Sequence, residues 1–188
     1  MKQVAAEPQS KHTAQTTIGR LLIPGYSVLN RFRQLPQAPL FVLAFLADQG
    51  QLFDAAGYIN AVAGVNVNLA TGTASGGDGN DILFNIEAAY GSRFNDTLIG
   101  NSGSNTLDGR AGNDILDGRA GFDVANYTNA TAAVNVNLTN GTASGGDGND
   151  DLFNIEGVIG SRFNDTLIGD AGSNNFDSRA GNDTLDGR

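Results

Sequence analysis

Carboxylate and amide side chains return at a step of nine residues between Gly91 and Asn126, and their oxygens have the most chemistry to offer. The stretch reads GSRFNDTLI, GNSGSNTLD, GRAGNDILD and GRAGFDVAN. Position 1 is always Gly, position 6 is Asp96, Asn105, Asp114 or Asp123, and position 8 is Leu98, Leu107, Leu116 or Ala125. The chain has no cysteine and one histidine, His12, far from this stretch. Donors that are all oxygen suit a hard divalent cation. Ca²⁺ accepts about 6–8 oxygens at roughly 2.3–2.6 Å in flexible geometry, whereas Mg²⁺ demands a tighter shell and keeps its waters. The spacing therefore points to Ca²⁺ held at turns.

The pattern extends beyond these four units. GGDGNDILF, from Gly76, is a complete G-G-x-G-x-D-x-U-x unit with Asp81 at position 6 and Leu83 at position 8. Residues 53–118 return as 122–187 at an offset of 69, with 49 of 66 positions identical, which marks a duplication of one structural unit. The second copy supplies units at Gly145, Gly160, Gly169 and Ser178, with Asp150, Asp165, Asn174 and Asp183 at position 6. A degenerate unit from Ile82 to Tyr90 places Glu87 at position 6, and Glu156 is its twin. The pattern is cut at Gly187-Arg188, which reads as a fragment of a longer array or a protein whose C-terminal end is missing.

Such a unit dictates its own local structure. Residues 7–9 are extended with position 8 pointing inward, and the glycine-rich six before them turn sharply, because glycine reaches positive φ without steric cost. Two units make an 18-residue coil of strand, turn, strand, turn, and stacked coils pair their strands in parallel. The expected core is two facing columns: Leu83, Leu98, Leu107, Leu116, Leu152, Leu167, Phe176 and Leu185. Val65–Leu69 and Val134–Leu138 alternate apolar and polar, so each reads as a half-buried strand with its Asn residues outward. One buried side chain stabilises by about 1.5–3 kcal/mol, while ordering each backbone residue costs about 1–2 kcal/mol. The core is too thin to hold the fold alone. Asp96 and Asp114 fall one coil apart on the same edge, as do Asp165 and Asp183, and they repel until a cation lies between them.

These units resemble the repeats-in-toxin family of calcium-binding β-rolls. The resemblance implies an all-β, right-handed parallel β-roll (a solenoid) of 18-residue coils, preceded by a short partly helical or disordered segment. It also implies that each ion sits between successive turns, held by both position-6 side chains with main-chain carbonyls completing the shell. Carried onto this sequence, the pairs are Asp96 with Asp114, Asp165 with Asp183 and, one charge weaker, Asn105 with Asp123. Glu87 with Asn105 and Glu156 with Asn174 are further candidates, and Asp81 and Asp150 lie in the intact turns beside Asp78 and Asp147. The associated turn glycines are Gly76, Gly79, Gly109, Gly112, Gly145, Gly148 and Gly181. Phe94 and Phe163 stand at position 4, where the family has Gly, and a bulky residue there disfavours a left-handed turn. Fewer ions than units are therefore expected.

Composition divides the chain near residue 49. Residues 1–49 hold all four prolines and carry five Lys/Arg against two acids; residues 50–188 carry six Arg against eighteen acids and hold 24 of the 26 glycines. The expected organisation is an N-terminal segment, 1–49, then long repeats at 50–118 and 119–188. Residues 1–17 are polar and read as mobile. Leu40 to Ala47 is continuously apolar, too short to span a bilayer, and reads either as a short capping helix or as a remnant of an upstream domain. The acidic balance disfavours nucleic acid and anionic membranes. With His12 in the tail, no Ser-His-Asp arrangement forms in the repeats, and enzymatic activity is not expected. Asp108, Asp117, Asp177 and Asp186, at position 9, read as a solvated stripe. The resemblance implies a secreted, extracellular bacterial module whose calcium stabilises the fold, with type I secretion machinery as a partner. Two alternatives stay open: an accessory module of a larger secreted protease, lipase or polysaccharide-modifying enzyme, and a segment of a surface adhesin.

Overall fold

In a computed structural model, which describes residues 18–23, 26–31, 41–46 and 52–188, positions 7–9 of unit after unit are three-residue strands. They are β8 (Ala88–Tyr90), β9 (Thr97–Ile99), β10 (Thr106–Asp108), β11 (Ile115–Asp117) and β12 (Val124–Asn126) in the first copy and its link to the second. The second copy adds β16 (Gly157–Ile159), β17 (Thr166–Ile168), β18 (Asn175–Asp177) and β19 (Thr184–Asp186). Successive strands alternate between two sheets, and neighbours within a sheet are parallel. Thr97 pairs with Ile115 and Thr106 with Val124, both 18 residues apart, and so do Thr166 with Thr184 and Gly157 with Asn175. The 18-residue coil is thus the repeating layer, and these layers form a parallel β-roll.

Position 8 fills the space between the sheets. Leu98, Leu107, Leu116 and Leu167 are fully buried, Leu83 and Leu152 nearly so, and Phe176 is packed at the margin of the same cluster. Leu185 departs from the expected core, being 50% exposed, because no further coil covers it among the described residues. Leu116→Ala is therefore expected to cost about 2–5 kcal/mol and Leu185→Ala well under half of that, read as denaturation midpoints in calcium. Equal losses would mean that the columns do not carry the stability.

The complete units interrupt the parallel regime. β5 (Val65–Asn68), β6 (Thr73–Gly76) and β7 (Gly79–Ile82) form an antiparallel meander, repeated as β13 (Val134–Asn137), β14 (Thr142–Gly145) and β15 (Gly148–Phe153). The parallel pairing expected between coils holds on either side of these meanders. Gly76 pairs with Gly79 across Gly77-Asp78, with φ of 124° and 103°, so the intact GGDG is a hairpin turn. The Val65 and Val134 strands follow the alternation read from the sequence, with Val65, Val67, Val134 and Val136 buried and Asn66 and Asn135 exposed.

The N-terminal segment contributes strands where a partly helical or disordered stretch was expected. β1 (Ile18–Ile23), β2 (Tyr26–Arg31) and β3 (Phe41–Leu46) are antiparallel, and β3 pairs with β4 (Leu52–Gly57), the first strand of the roll. Among the described residues there is no helix. A short apolar run such as Phe41–Leu46 has no periodicity to separate helix from strand, and the edge of β4 decides the matter by offering a backbone ladder. Residues 1–17 and His12 lie outside the described residues.

The first sheet runs β1-β2-β3-β4-β8-β10-β12-β16-β18, and the second β19-β17-β13-β14-β15-β11-β9-β5-β6-β7. In the second sheet the two copies meet where β11 pairs with β15, joining Leu116 to Leu152.

Candidate metal sites

The position-6 side chains face the backbone of the preceding coil. Asp114 Oδ1 accepts the N–H of Asp96 at 2.8 Å, and Asp183 Oδ1 that of Asp165 at 2.9 Å, so both expected pairs are adjacent. Asp123 Oδ1 accepts the N–H of Asn105 at 2.7 Å, bringing the third pair together. Two further links cross the duplication. Asp150 Oδ1 accepts the N–H of Asp114 at 2.9 Å, and Glu156 Oε2 that of Asp123 at 2.9 Å. Sequence separations of 36 and 33 hide both, because the antiparallel meander lies between the partners in the chain and not in the stack.

The expected pairing of Glu87 with Asn105 takes a different form. Glu87 Oε2 accepts the N–H of Asp54, while Asn105 Nδ2 donates at 3.3 Å to the Glu87 carbonyl rather than to its carboxylate. Asn174 also turns from Glu156: its Oδ1 accepts the N–H of Asp170 and its Nδ2 donates to Asp170 Oδ1. Neither pair presents two free side-chain oxygens.

Local turn sequence decides which carboxylates keep capacity for an ion. In the units with Phe at position 4, Ser92 donates its N–H and Oγ–H to the two oxygens of Asp96, and Val65 N–H adds a third bond. Ser161 and Val134 do the same for Asp165. Phe94 and Phe163 do not take positive φ, so these turns close on their own serine. The neighbouring GRAGND turn differs. Gly112 has φ of 149°, and a Cβ there would lie 2.6 Å from the Phe94 carbonyl oxygen and 2.8 Å from Asp114 Oδ1. The turn admits only glycine, and it leaves Asp114 Oδ2 buried with no hydrogen-bond partner among the described residues.

Asp123 Oδ2 and Asp147 Oδ2 are orphaned in the same way. Asp147, two residues beyond Gly145, is the residue whose importance the nonapeptide pattern understates: it is 6% exposed, and its carbonyl accepts the N–H of Gly112 at 2.8 Å. A buried carboxylate oxygen without a donor is costly, and three of them fit a cation better than they fit an empty interior.

Ionisation is correspondingly opposed. Burial first, then the Asp150, Asp96 and Asp147 carboxylates, push Asp114 up to about 8. Burial and the charges of Asp108 and Asp150 raise Asp147 to about 7. Asp150, which accepts the Tyr127 hydroxyl at 3.1 Å, is raised to about 6, again chiefly by burial. Asp123, buried and facing Glu156, also rises to about 6. Among the described residues no three acidic or histidine side chains gather into a cluster able to hold a metal alone. Main-chain carbonyls must supply the rest of any shell, as the resemblance implies.

Asp81 lies at the outer end of the stack, half-exposed, with burial raising its pKa. The position-9 stripe is also corrected. Asp108 is buried, because Asn129 from the second copy folds over it and donates at 3.4 Å, while Arg110 N–H donates at 3.0 Å. Asp177 and Asp186 remain exposed and pair with Arg179 and Arg188. Asp117 pairs with Arg119 at 2.9 Å. Arg110, Arg119 and Arg179 occupy left-handed conformations, each with its N–H held by the aspartate two residues earlier.

Among the described residues no helix is long and apolar enough to cross a membrane. No curated protein matches the chain. The family model of the RTX calcium-binding nonapeptide repeat matches it in four copies, over residues 73–84, 90–125 and 158–188. Those segments contain the stacked turns of Asp96, Asp114 and Asp123 and of Asp165 and Asp183, so the chain is, across residues 73–188, a protein of RTX calcium-binding nonapeptide repeats.

Proposed function

We propose that the chain is a secreted calcium-binding module in which the ion is part of the fold. The observation that carries this reading is the set of buried, donorless carboxylate oxygens on Asp114, Asp123 and Asp147, placed where stacked turns converge. The pairs Asp114 with Asp150 and Asp123 with Glu156 are the strongest sites. They combine stacked acids with at least one free buried oxygen, and main-chain carbonyls of the adjoining turns would complete a shell, as the resemblance implies. Asp96 and Asp165, saturated by serine, act mainly as turn braces. Asp183 and Asp81, both half-exposed, bind more weakly.

Bound calcium supplies positive charge and multiple coordination between coils, so its binding free energy is folding free energy. A chain of this kind stays unfolded where calcium is scarce and folds where it is plentiful, which suits export followed by folding outside the cell. No catalytic role is assigned to it.

Calorimetric titration of the chelated chain with calcium tests this reading. The expected result is saturable binding at a stoichiometry below the number of nonapeptides, with magnesium a poor competitor. Absence of calcium binding at millimolar concentration overturns it.

A further inference from the structure

The buried cluster between the sheets is built of Ala, Val, Leu and Ile, with two members that bring a polar atom into it, Tyr58 and Tyr127. A phenylalanine would fill the same space with no hydroxyl to satisfy, and a buried hydroxyl without a partner is costly. Tyr127 has its partner. The hydroxyl donates to Asp150 Oδ2 at 3.1 Å, and both residues are 3% exposed. Its backbone belongs to the other side of the roll, where its N–H donates to the Ile159 carbonyl of β16 at 2.8 Å. The side chain therefore crosses from the first sheet to a carboxylate on β15 in the second.

The residues that follow Tyr127 hold the same neighbourhood. Thr131 Oγ1 donates to the Gly146 carbonyl at 2.7 Å, and Gly146 N–H donates to the Ala133 carbonyl at 3.1 Å. A Cβ on Gly146 would collide with the Ala132 backbone, so the Gly145–Gly148 turn is seated directly on residues 131–133. Asn129, between them, donates to Asp108 of the first copy.

Asp150 is held at both ends as a result. Its Oδ1 accepts the Asp114 N–H at 2.9 Å and its Oδ2 the Tyr127 hydroxyl, one donor for each oxygen. A carboxylate oxygen has a further lone pair to offer, and Asp150 offers its own in the same buried group as the donorless Oδ2 atoms of Asp114 and Asp147. Donation by a hydroxyl also favours the ionised form that a cation needs. Without that donor the carboxylate is free to turn about its last side-chain bond.

We propose that Tyr127 is a positioning residue of the Asp114–Asp150 calcium site, its hydroxyl setting the Asp150 carboxylate in the orientation that the ion takes. The inference rests on the assignment of that pair to calcium. Groups that hold a metal ligand from behind typically change affinity by about 10–100-fold when they are removed. The nonapeptide pattern does not reveal this one, because Tyr127 lies 23 residues before Asp150 and outside the complete unit. Tyr58 stands in the same place in the first copy, 69 residues earlier and buried beside Asp81, so the tyrosine and its acid are duplicated together.

Calcium midpoints of folding, read by far-UV circular dichroism of the full chain at pH 8, test the proposal in a double-mutant cycle. Tyr127→Phe keeps the ring and loses only the oxygen. It should reach the wild-type β signal at saturating calcium but need about tenfold more ion to reach the midpoint. Asp150→Asn should raise the midpoint too. Adding Tyr127→Phe to Asp150→Asn should then change it by about twofold or less, because the carboxylate through which the hydroxyl acts is gone. Adding it to Asp123→Asn, which weakens the other site, should still cost about tenfold.

A hydroxyl that only stabilises the core would give one factor in all three backgrounds. That result, no shift with Tyr127→Phe, or a Tyr127→Phe chain that folds at no calcium concentration overturns the positioning role and leaves the calcium sites standing. No shift with Asp150→Asn, or no calcium response of the wild type, overturns the assignment of Asp150 to the ion and this inference with it.

Discussion

Chelating calcium at pH 8 should convert most of the far-UV signal from β to coil, and restoring calcium should bring it back, with magnesium much less effective. The core explains the size of the effect. Its columns are one side chain thick, and of the two expected long columns only the interior members, such as Leu98, Leu107, Leu116 and Leu167, are fully buried. Against that stand Asp114, Asp147 and Asp150, buried within one another's fields at the junction of the two copies. A pH series on the chelated chain separates this repulsion from a simply weak core. The folded pKa values of Asp114, Asp147, Asp123 and Asp150 lie at about 8, 7, 6 and 6, above the roughly 3.9 of a free Asp. Groups with raised folded pKa contribute stability that is fully present below the unfolded value and is lost as pH rises through the folded one. The metal-free chain should thus melt higher at pH 5 than at pH 8. With calcium the trend should reverse, because protons then compete with the ion. A chelated chain that is fully folded at pH 8 would end the case for calcium as part of the fold.

Asp114→Asn should move stability in opposite directions with and without the ion. The amide keeps an oxygen for the Asp96 N–H and turns an NH₂ toward neighbouring carboxylates, relieving the buried charge that raises the Asp114 pKa. Without calcium the variant should therefore melt higher than wild type. With calcium it should need roughly tenfold more ion to reach the folding midpoint, since one anionic ligand is gone, equivalent to about 1.4 kcal/mol. Asp177→Asn is the control. Its carboxylate is exposed and, among the described residues, meets Arg179 alone, through the backbone N–H at 3.1 Å and the guanidinium at 3.4 Å, so both midpoints should hardly move. If Asp114→Asn lowers stability in both conditions, Asp114 is a structural hydrogen-bond acceptor and not a ligand.

Much of this design is local and therefore written in the order of residues. The nine-residue period places position 8 inward and position 6 at the turn, and that suffices to name Leu98, Leu107 and Leu116 as core and to stack Asp96 beneath Asp114. The substitution of Phe for Gly at position 4 likewise marks the Asp96 and Asp165 turns as different. The manner of the difference, a carboxylate saturated by Ser92 or Ser161, needs three dimensions to be seen.

What only the tertiary structure decided is which strands share an edge. A complete GGDGND unit looks like its neighbours in sequence, yet it turns the chain back as a hairpin. Its strand is thereby delivered to β11 of the other copy, and Asp150 arrives beside Asp114. The same long-range packing buries Asp108 under Asn129 while leaving Asp177 in solvent, and draws Phe41–Leu46 into a strand against β4. The physical reason is common to all three. Turn geometry and inward-facing residues are set by atoms close along the chain, whereas strand partners and burial of charge are set by whichever free edge the rest of the fold presents.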